Sequence, residues 1–261
     1  MLDAYVDKIL VQKGIRNKDY FWFMCATMVP FAAVMLFFEP MLFQFNLLII
    51  GIILISIVIR YVRLNTVVGV CEYLSPFEFR AYAMLGLVLA FVIDTVAGLA
   101  EFNMISAIAI AFSVTGVFIL ADAKLRIEKV RKNLVWHILF CVAAGYAAHF
   151  ALIYCSNALY ILILNLALTI AFCGGYTPSY LKKQGHLLKW VVVQQFFGFI
   201  ATYLSYILVQ KSVTLYYAVD PLIVLLVVLA AFWLKKISRK PRMRDVLAVV
   251  LIALGTWLIS F

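Results

Sequence analysis

Charged side chains stand deep inside two long apolar stretches of this chain: Glu72, Glu78 and Arg80 within residues 64–92, and Asp220 within residues 212–234. Glu78 points away from the face that Glu72 and Arg80 share. A charge in a membrane interior costs about 2.5–3.5 kcal/mol on insertion scales, so each needs a partner or a task. Asn65, Gly69, Glu72, Pro76 and Arg80 fall near one face of a helix, counting about 100° per residue. On that face Arg80 could draw an anionic group of a solute and Glu72 a cationic one. The competing reading is a structural ion pair that holds two helices together. Burial disfavours the charged form of Asp220, so this carboxyl group could take up a proton or meet the substrate itself. Its alternative is a carboxylate hydrogen-bonded to a neighbouring helix.

Uncharged polar groups extend the same pattern. Gln195, Thr202 and Tyr206 recur at i, i+7 and i+11; Gly145, Tyr146, His149 and Ser156 share a face; Tyr216 and Tyr217 precede Asp220. The expected substrate contacts are Asn65, Glu72, Arg80, Tyr146, His149, Gln195, Tyr206 and Tyr217. Such stripes equally suit hydrogen bonds between helices, worth under about 2 kcal/mol each. Pro76 and Pro221 each remove a backbone donor, and are expected to kink their helices where the polar faces turn inward. His137 and His186 have no partners at metal-ligand spacing. There is no HExxH, no nucleotide-binding glycine loop, and no serine or cysteine with a base at helical spacing. No catalytic residue, metal or cofactor is expected, and an enzyme is not.

The elements that must position these residues are apolar helices. The sequence is 67% hydrophobic and only 13% charged. Nine apolar runs are long enough to cross a bilayer: 20–38, 45–62, 64–92, 103–121, 134–156, 158–179, 188–209, 212–234 and 245–261. Short alternating strands, the signature of a barrel, are missing, which leaves an all-α polytopic membrane protein. The net charge of +10 does not point to nucleic acid, because its placement is one-sided. Every basic residue except Arg80 and Lys211 precedes the first run or falls between, or at the adjoining ends of, runs two and three, four and five, six and seven, or eight and nine. Alternate loops share a side, and the positive-inside rule makes that side cytoplasmic in a multi-pass plasma-membrane protein. Arg60 and Arg63 count among these loop charges. All five cysteines lie in apolar runs without a CxxC pair, as small apolar residues would.

The chain also says one thing twice. Residues 57–79 read IVIRYVRLNTVVGVCEYLSPFEF and residues 201–224 read ATYLSYILVQKSVTLYYAVDPLIV. Aligned on their prolines, Tyr61 meets Tyr206 and Asn65 meets Gln210. Each half closes alike, VTGVF at 114–118 against ALGTW at 253–257.

With AYVDKILV at 4–11, RYVRL at 60–64 and YAVDPLIVLL at 217–226, the chain resembles the drug/metabolite transporter superfamily, in its EamA-type permeases. That resemblance implies two inverted five-helix repeats, here 1–132 and 133–261, and alternating access to a site between them. The first family helix is represented by about its last dozen residues. The expectation is therefore nine full transmembrane helices plus a short N-terminal amphipathic helix, unless Met1 is an internal start. The function it implies is a permease for a small polar or amphipathic metabolite. Two alternatives stay open: a flippase for a lipid or lipid-linked sugar, and a non-transporting membrane subunit or sensor. Expected partners are the small-molecule substrate, membrane lipids and a second copy of the chain, not nucleic acid.

Overall fold

The computed structural model describes residues 17–71, 74, 76–99, 101–121, 131–173, 185–219, 221 and 243–259. Ten helices organise them. In the first half are α1 (Asn17–Met35), α2 (Leu47–Cys71), α3 (Pro76–Ala83), α4 (Leu85–Val96) and α5 (Met104–Ala121). In the second are α6 (Arg131–Ala151), α7 (Asn157–Phe172), α8 (Gly185–Lys211), α9 (Val213–Ala218) and α10 (Met243–Ile259). The all-α expectation holds for the described residues. Their one extended pairing is an isolated antiparallel bridge between Phe43 and Cys155, in the two loops that enter α2 and α7.

Among the described residues, three segments are long and apolar enough to cross a membrane: Leu47–Val67, Lys132–Ala151 and Val191–Lys211. Shorter apolar helices accompany them, Tyr20–Met35, Ala81–Val96, Met104–Ile119, Asn157–Phe172 and Val246–Gly255. Their outward faces are apolar too: Leu54, Ile55 and Val58 on α2, Phe196, Phe197 and Leu204 on α8, and Val246, Val250 and Leu254 on α10 are exposed. Contiguous apolar surface of this kind suits a lipid surround and not water.

The second and third apolar runs do not meet in a basic loop. α2 passes without interruption through Arg60 and Arg63 and stops at Cys71. The reason is local: residues 52–68 contain neither glycine nor proline, and arginine is a good helix former. Nor does Pro76 kink the middle of a helix; it occupies the first position of α3, where its missing N–H would have no intrahelical partner anyway. α3 and α4 are separated only at Met84, whose backbone stays in the right-handed helical region at φ −61°, ψ −21°. Three-residue hydrogen bonds, Met84 N–H to the Ala81 carbonyl at 3.2 Å and Leu87 N–H to the Met84 carbonyl at 3.0 Å, tighten the turn there. In the second half, α8 stops at Lys211 and Ser212 caps α9, accepting the Leu215 N–H at 3.2 Å. Pro221 is helical and buried.

Most of the helix contact is between the halves. α5 packs along α10, α1 along α7, and α2 along α6; α4 meets α9, α2 meets α7, and α8 meets α1. The α5–α10 seam is the tightest. A Cβ on Gly116 would lie 2.7 Å from the Ala248 carbonyl oxygen and 3.0 Å from the Ile252 nitrogen. A Cβ on Gly255 would lie 2.5 Å from the Ala109 carbonyl oxygen and 2.7 Å from the Ser113 nitrogen, and would strike the Ser113 hydroxyl. Each glycine thus lets one helix backbone rest on the other.

Candidate functional site

One buried carboxylate gathers the ends of three helices. Asp94 lies in the last turn of α4, on the face that also buries Gly86, Leu87 and Ala90, and is only 3% exposed. Its Oδ1 accepts the Tyr146 hydroxyl of α6 at 2.6 Å, which also reaches the Ala90 carbonyl at 3.0 Å. Its Oδ2 accepts the Thr214 hydroxyl at 2.5 Å and the Thr214 N–H at 3.3 Å, with the Ser212 hydroxyl at 3.5 Å. Both carboxylate oxygens are thus supplied with donors, as a buried polar group requires. A cavity of about 70 Å³ opens beside it, lined by Asp94, Tyr146, His149, Lys211 and Ser212. Pockets for organic ligands run to roughly 300–1,000 Å³, so this one suits water and the cluster is a latch, not a seat for a solute. His149 adds a further link: its Nδ1 donates to the Val209 carbonyl of α8 at 2.7 Å, since a carbonyl can only accept.

A second carboxylate closes the same end of the bundle. Glu39, in the loop before α2, accepts the Asn157 N–H at 3.1 Å and the Ala158 N–H at 2.8 Å, the first free donors of α7. The Asn157 side chain in turn accepts from Gln210 at 3.2 Å. The adjacent loops pair through Gln44 N–H to the Tyr154 carbonyl at 2.8 Å and Ser156 N–H to the Leu42 carbonyl at 2.9 Å. Ser156 therefore stands at the N-cap position of α7, where Glu39 and not its own hydroxyl takes the free N–H groups, and does not extend the polar face of α6.

Deeper between the halves the lining turns aromatic. Tyr217 of α9 is buried between α4 and α6: a Cβ on Gly86 would lie 3.2 Å from its Cε1, and one on Gly145 3.9 Å from its Cε2. Its ring meets Tyr216 at 4.8 Å. Tyr206 of α8 packs on Tyr160 of α7 at 5.4 Å, and the Tyr160 hydroxyl donates to Ser56 of α2 at 2.9 Å.

Of the residues expected to contact substrate, the structure places Tyr146 and His149 at the Asp94 latch and Tyr206 and Tyr217 in the aromatic interior. Gln195 is buried in α8. Asn65 belongs elsewhere: it is exposed on α2, and its amide turns back to its own helix, donating to the Tyr61 carbonyl at 2.8 Å. Arg80 is carried by α3. Glu72 and Asp220 lie outside the described residues. His137 sits between Thr66, 3.4 Å from its Nδ1, and the Cys141 sulfur, 3.3 Å from its Nε2. Sequence reasoning passed over Asp94 and Glu39, because both fall at or beyond the end of an apolar run. The available signal for Asp94 was the spacing of Gly86, Ala90 and Asp94, small residues and an acid every fourth position on one face.

No family model matches this chain, and no curated protein matches it. Among solved structures, one described only as "Crystal structure of protein" shares its fold, with a TM-score of 0.62 over 100% of this chain and 96% of that one, at 10% sequence identity. The likeness is one of fold.

Proposed function

We propose that the protein is a secondary transporter for a small polar or amphipathic solute, built as two inverted halves of the drug/metabolite transporter kind. The observation that carries this reading is the exchange relation among helix contacts. Swapping α1 with α7, α2 with α8, α4 with α9 and α5 with α10 turns each of the contacts α1–α7, α4–α9 and α5–α10 into itself, and turns α2–α7 into α8–α1. The glycine seam follows the same rule. With Gly116 aligned on Gly255, the residues under Gly255, Ala109 and Ser113, correspond to those under Gly116, Ala248 and Ile252. A pair of like halves around a polar, aromatic interior is the arrangement that alternating access requires. The lysine- and arginine-rich sequences 124–132 and 235–244 support, by the positive-inside rule, a cytoplasmic side at the other end of the bundle from Asp94 and Glu39, whose latches would then face outside.

In this reading the described conformation is closed at the outer end. Asp94 ties α4 of one half to α6 and α9 of the other, and Glu39 ties the α1–α2 loop to α7. Opening outward exchanges these hydrogen bonds for bonds to entering water, while the α5–α10 seam stays closed. Electron spin resonance distances between labels at Leu99→Cys and Ile153→Cys, both exposed at that end, test this in a background without the native cysteines. A long-distance population that grows in Asp94→Asn supports the reading. One narrow distance, the same in both proteins, counts against it.

A further inference from the structure

The junction between α8 and α9 touches both latches. The Val209 carbonyl, one of the last four of α8, which have no intrahelical donor, accepts from His149 of α6 at 2.7 Å. The next residue turns to α7. Gln210 donates to the Asn157 side chain at 3.2 Å, and Glu39 holds the backbone N–H of that same Asn157. Lys211 lines the cavity beside Asp94, and the Ser212 hydroxyl reaches the Asp94 carboxylate at 3.5 Å. Ser212 also ends the run of helix, with an extended backbone at φ −167° and ψ 140°. By accepting the Leu215 N–H it starts α9 in the register that sets Thr214 on Asp94. Both acids belong to the first half of the chain, and the donors described for them belong to the second.

We propose that residues 209–212 couple the two latches, so that neither opens without loosening the other. The path is short: Glu39, Asn157, Gln210, then two residues of backbone to Ser212 and Asp94. A covalent backbone has a fixed reach, so a displacement at Gln210 is passed to Ser212. Bonds already at 3.2 and 3.5 Å have little slack before they cease to be hydrogen bonds. Removing the Glu39 contact frees the start of α7, and with it the side chain that Gln210 holds. Removing the Asp94 contact frees Ser212 and the end of α8, and Gln210 moves with them. This deepens the transporter reading and rests on it for its consequence: two latches tied together make one outer gate with two states. The coupling itself is a property of the fold.

Hydrogen–deuterium exchange of the purified protein reads each latch separately. The Thr214 N–H on Asp94, and the Asn157 and Ala158 N–H groups on Glu39, lie in the first turns of their helices. No backbone carbonyl of the helix serves them there, so their protection reports the acids. Glu39→Gln should speed exchange at Thr214 by about fivefold or more, and Asp94→Asn should speed it at Ala158 by the same factor, because coupling is reciprocal. In a Gln210→Leu background both cross effects should vanish, while each substitution still speeds its own latch. The Ser113 and Ile252 amides, in the α5–α10 seam, report global loosening and should keep their rates. Acceleration confined to the substituted latch overturns the coupling. So does a cross effect that persists in Gln210→Leu or spreads equally to the seam. If Asp94→Asn does not fold, exchange at Thr214 in Glu39→Gln, with and without Gln210→Leu, decides alone. Flux is scored separately in liposomes. Coupled exchange without flux of any solute removes the transporter reading and keeps the coupling, whereas flux with independent latches does the reverse.

Discussion

Tyr146 reaches across from α6 to Asp94 at the end of α4, with 2.6 Å between phenol and carboxylate oxygens. Thr214 of α9 takes the other carboxylate oxygen, so the acid joins elements far apart in sequence. Tyr146→Phe and Thr214→Val should each cost about 0.5–2 kcal/mol, lowering the melting temperature by a few degrees for a chain of this size. Because both act through one acid, their effects should not add: a double-mutant cycle is expected to show coupling of about 0.5 kcal/mol or more. Strict additivity would mean that the two hydroxyls do not share a carboxylate.

The α5–α10 seam gives the sharpest steric prediction. Gly255→Ala and Gly116→Ala push a methyl group against backbone atoms that cannot turn aside, and each should destabilise by about 1–3 kcal/mol. Gly51→Ala is the control, since nothing lies within 4 Å of its added Cβ and the residue is helical. There the gain in helix propensity, about 0.5–1 kcal/mol, should leave stability unchanged or raised. If all three variants melt alike, the seam is not where the halves are fixed.

Gly86 and Tyr217 should behave as a pair. An alanine methyl at Gly86 would stand 3.2 Å from the Tyr217 ring, which Gly145 backs on its other side. The ring cannot slide away, so Gly86→Ala should cost about 1 kcal/mol or more. In a Tyr217→Leu background that penalty should shrink, because the shorter side chain leaves the space open. A penalty unchanged by Tyr217→Leu would place the strain elsewhere.

Glu39 supplies acceptors to the first free N–H groups of α7 and carries negative charge at that helix end. Glu39→Ala should cost about 0.5–2 kcal/mol through the lost cap. Glu39→Gln, which keeps one acceptor, should lose less. Equal losses would show that the loop, not the cap, sets stability there.

Helix content was legible in the sequence because hydropathy reports burial along one element at a time. The runs at 103–121 and 188–209 correspond to α5 and α8 within a few residues, and the matched glycines at 116 and 255 mark the seam where backbones touch. What sequence misplaced depends on more than one element. Arg60 and Arg63 looked like loop charges, since basic residues usually punctuate apolar runs, yet nothing around them breaks a helix and α2 carries them inward. Asp94 drew no expectation, because it falls beyond the end of an apolar run and its donors, Ser212 and Thr214, arrive from the far half of the chain. Asn65 shared a helical face with Glu72 on paper, but the tertiary packing of α2 turns it outward.

The central claim is that solute crosses between the two halves. Its most direct measurement is counterflow in liposomes of purified protein, using whichever solute from a panel of amino acids, nucleosides, sugar phosphates and amines raises its melting temperature. The account predicts saturable counterflow above that of empty liposomes, sharply reduced in Asp94→Ala, whose latch is gone, while the solute still stabilises the folded variant. A solute that binds and stabilises the protein but never crosses, in wild type and variant alike, would contradict it and make the chain a membrane receptor or subunit.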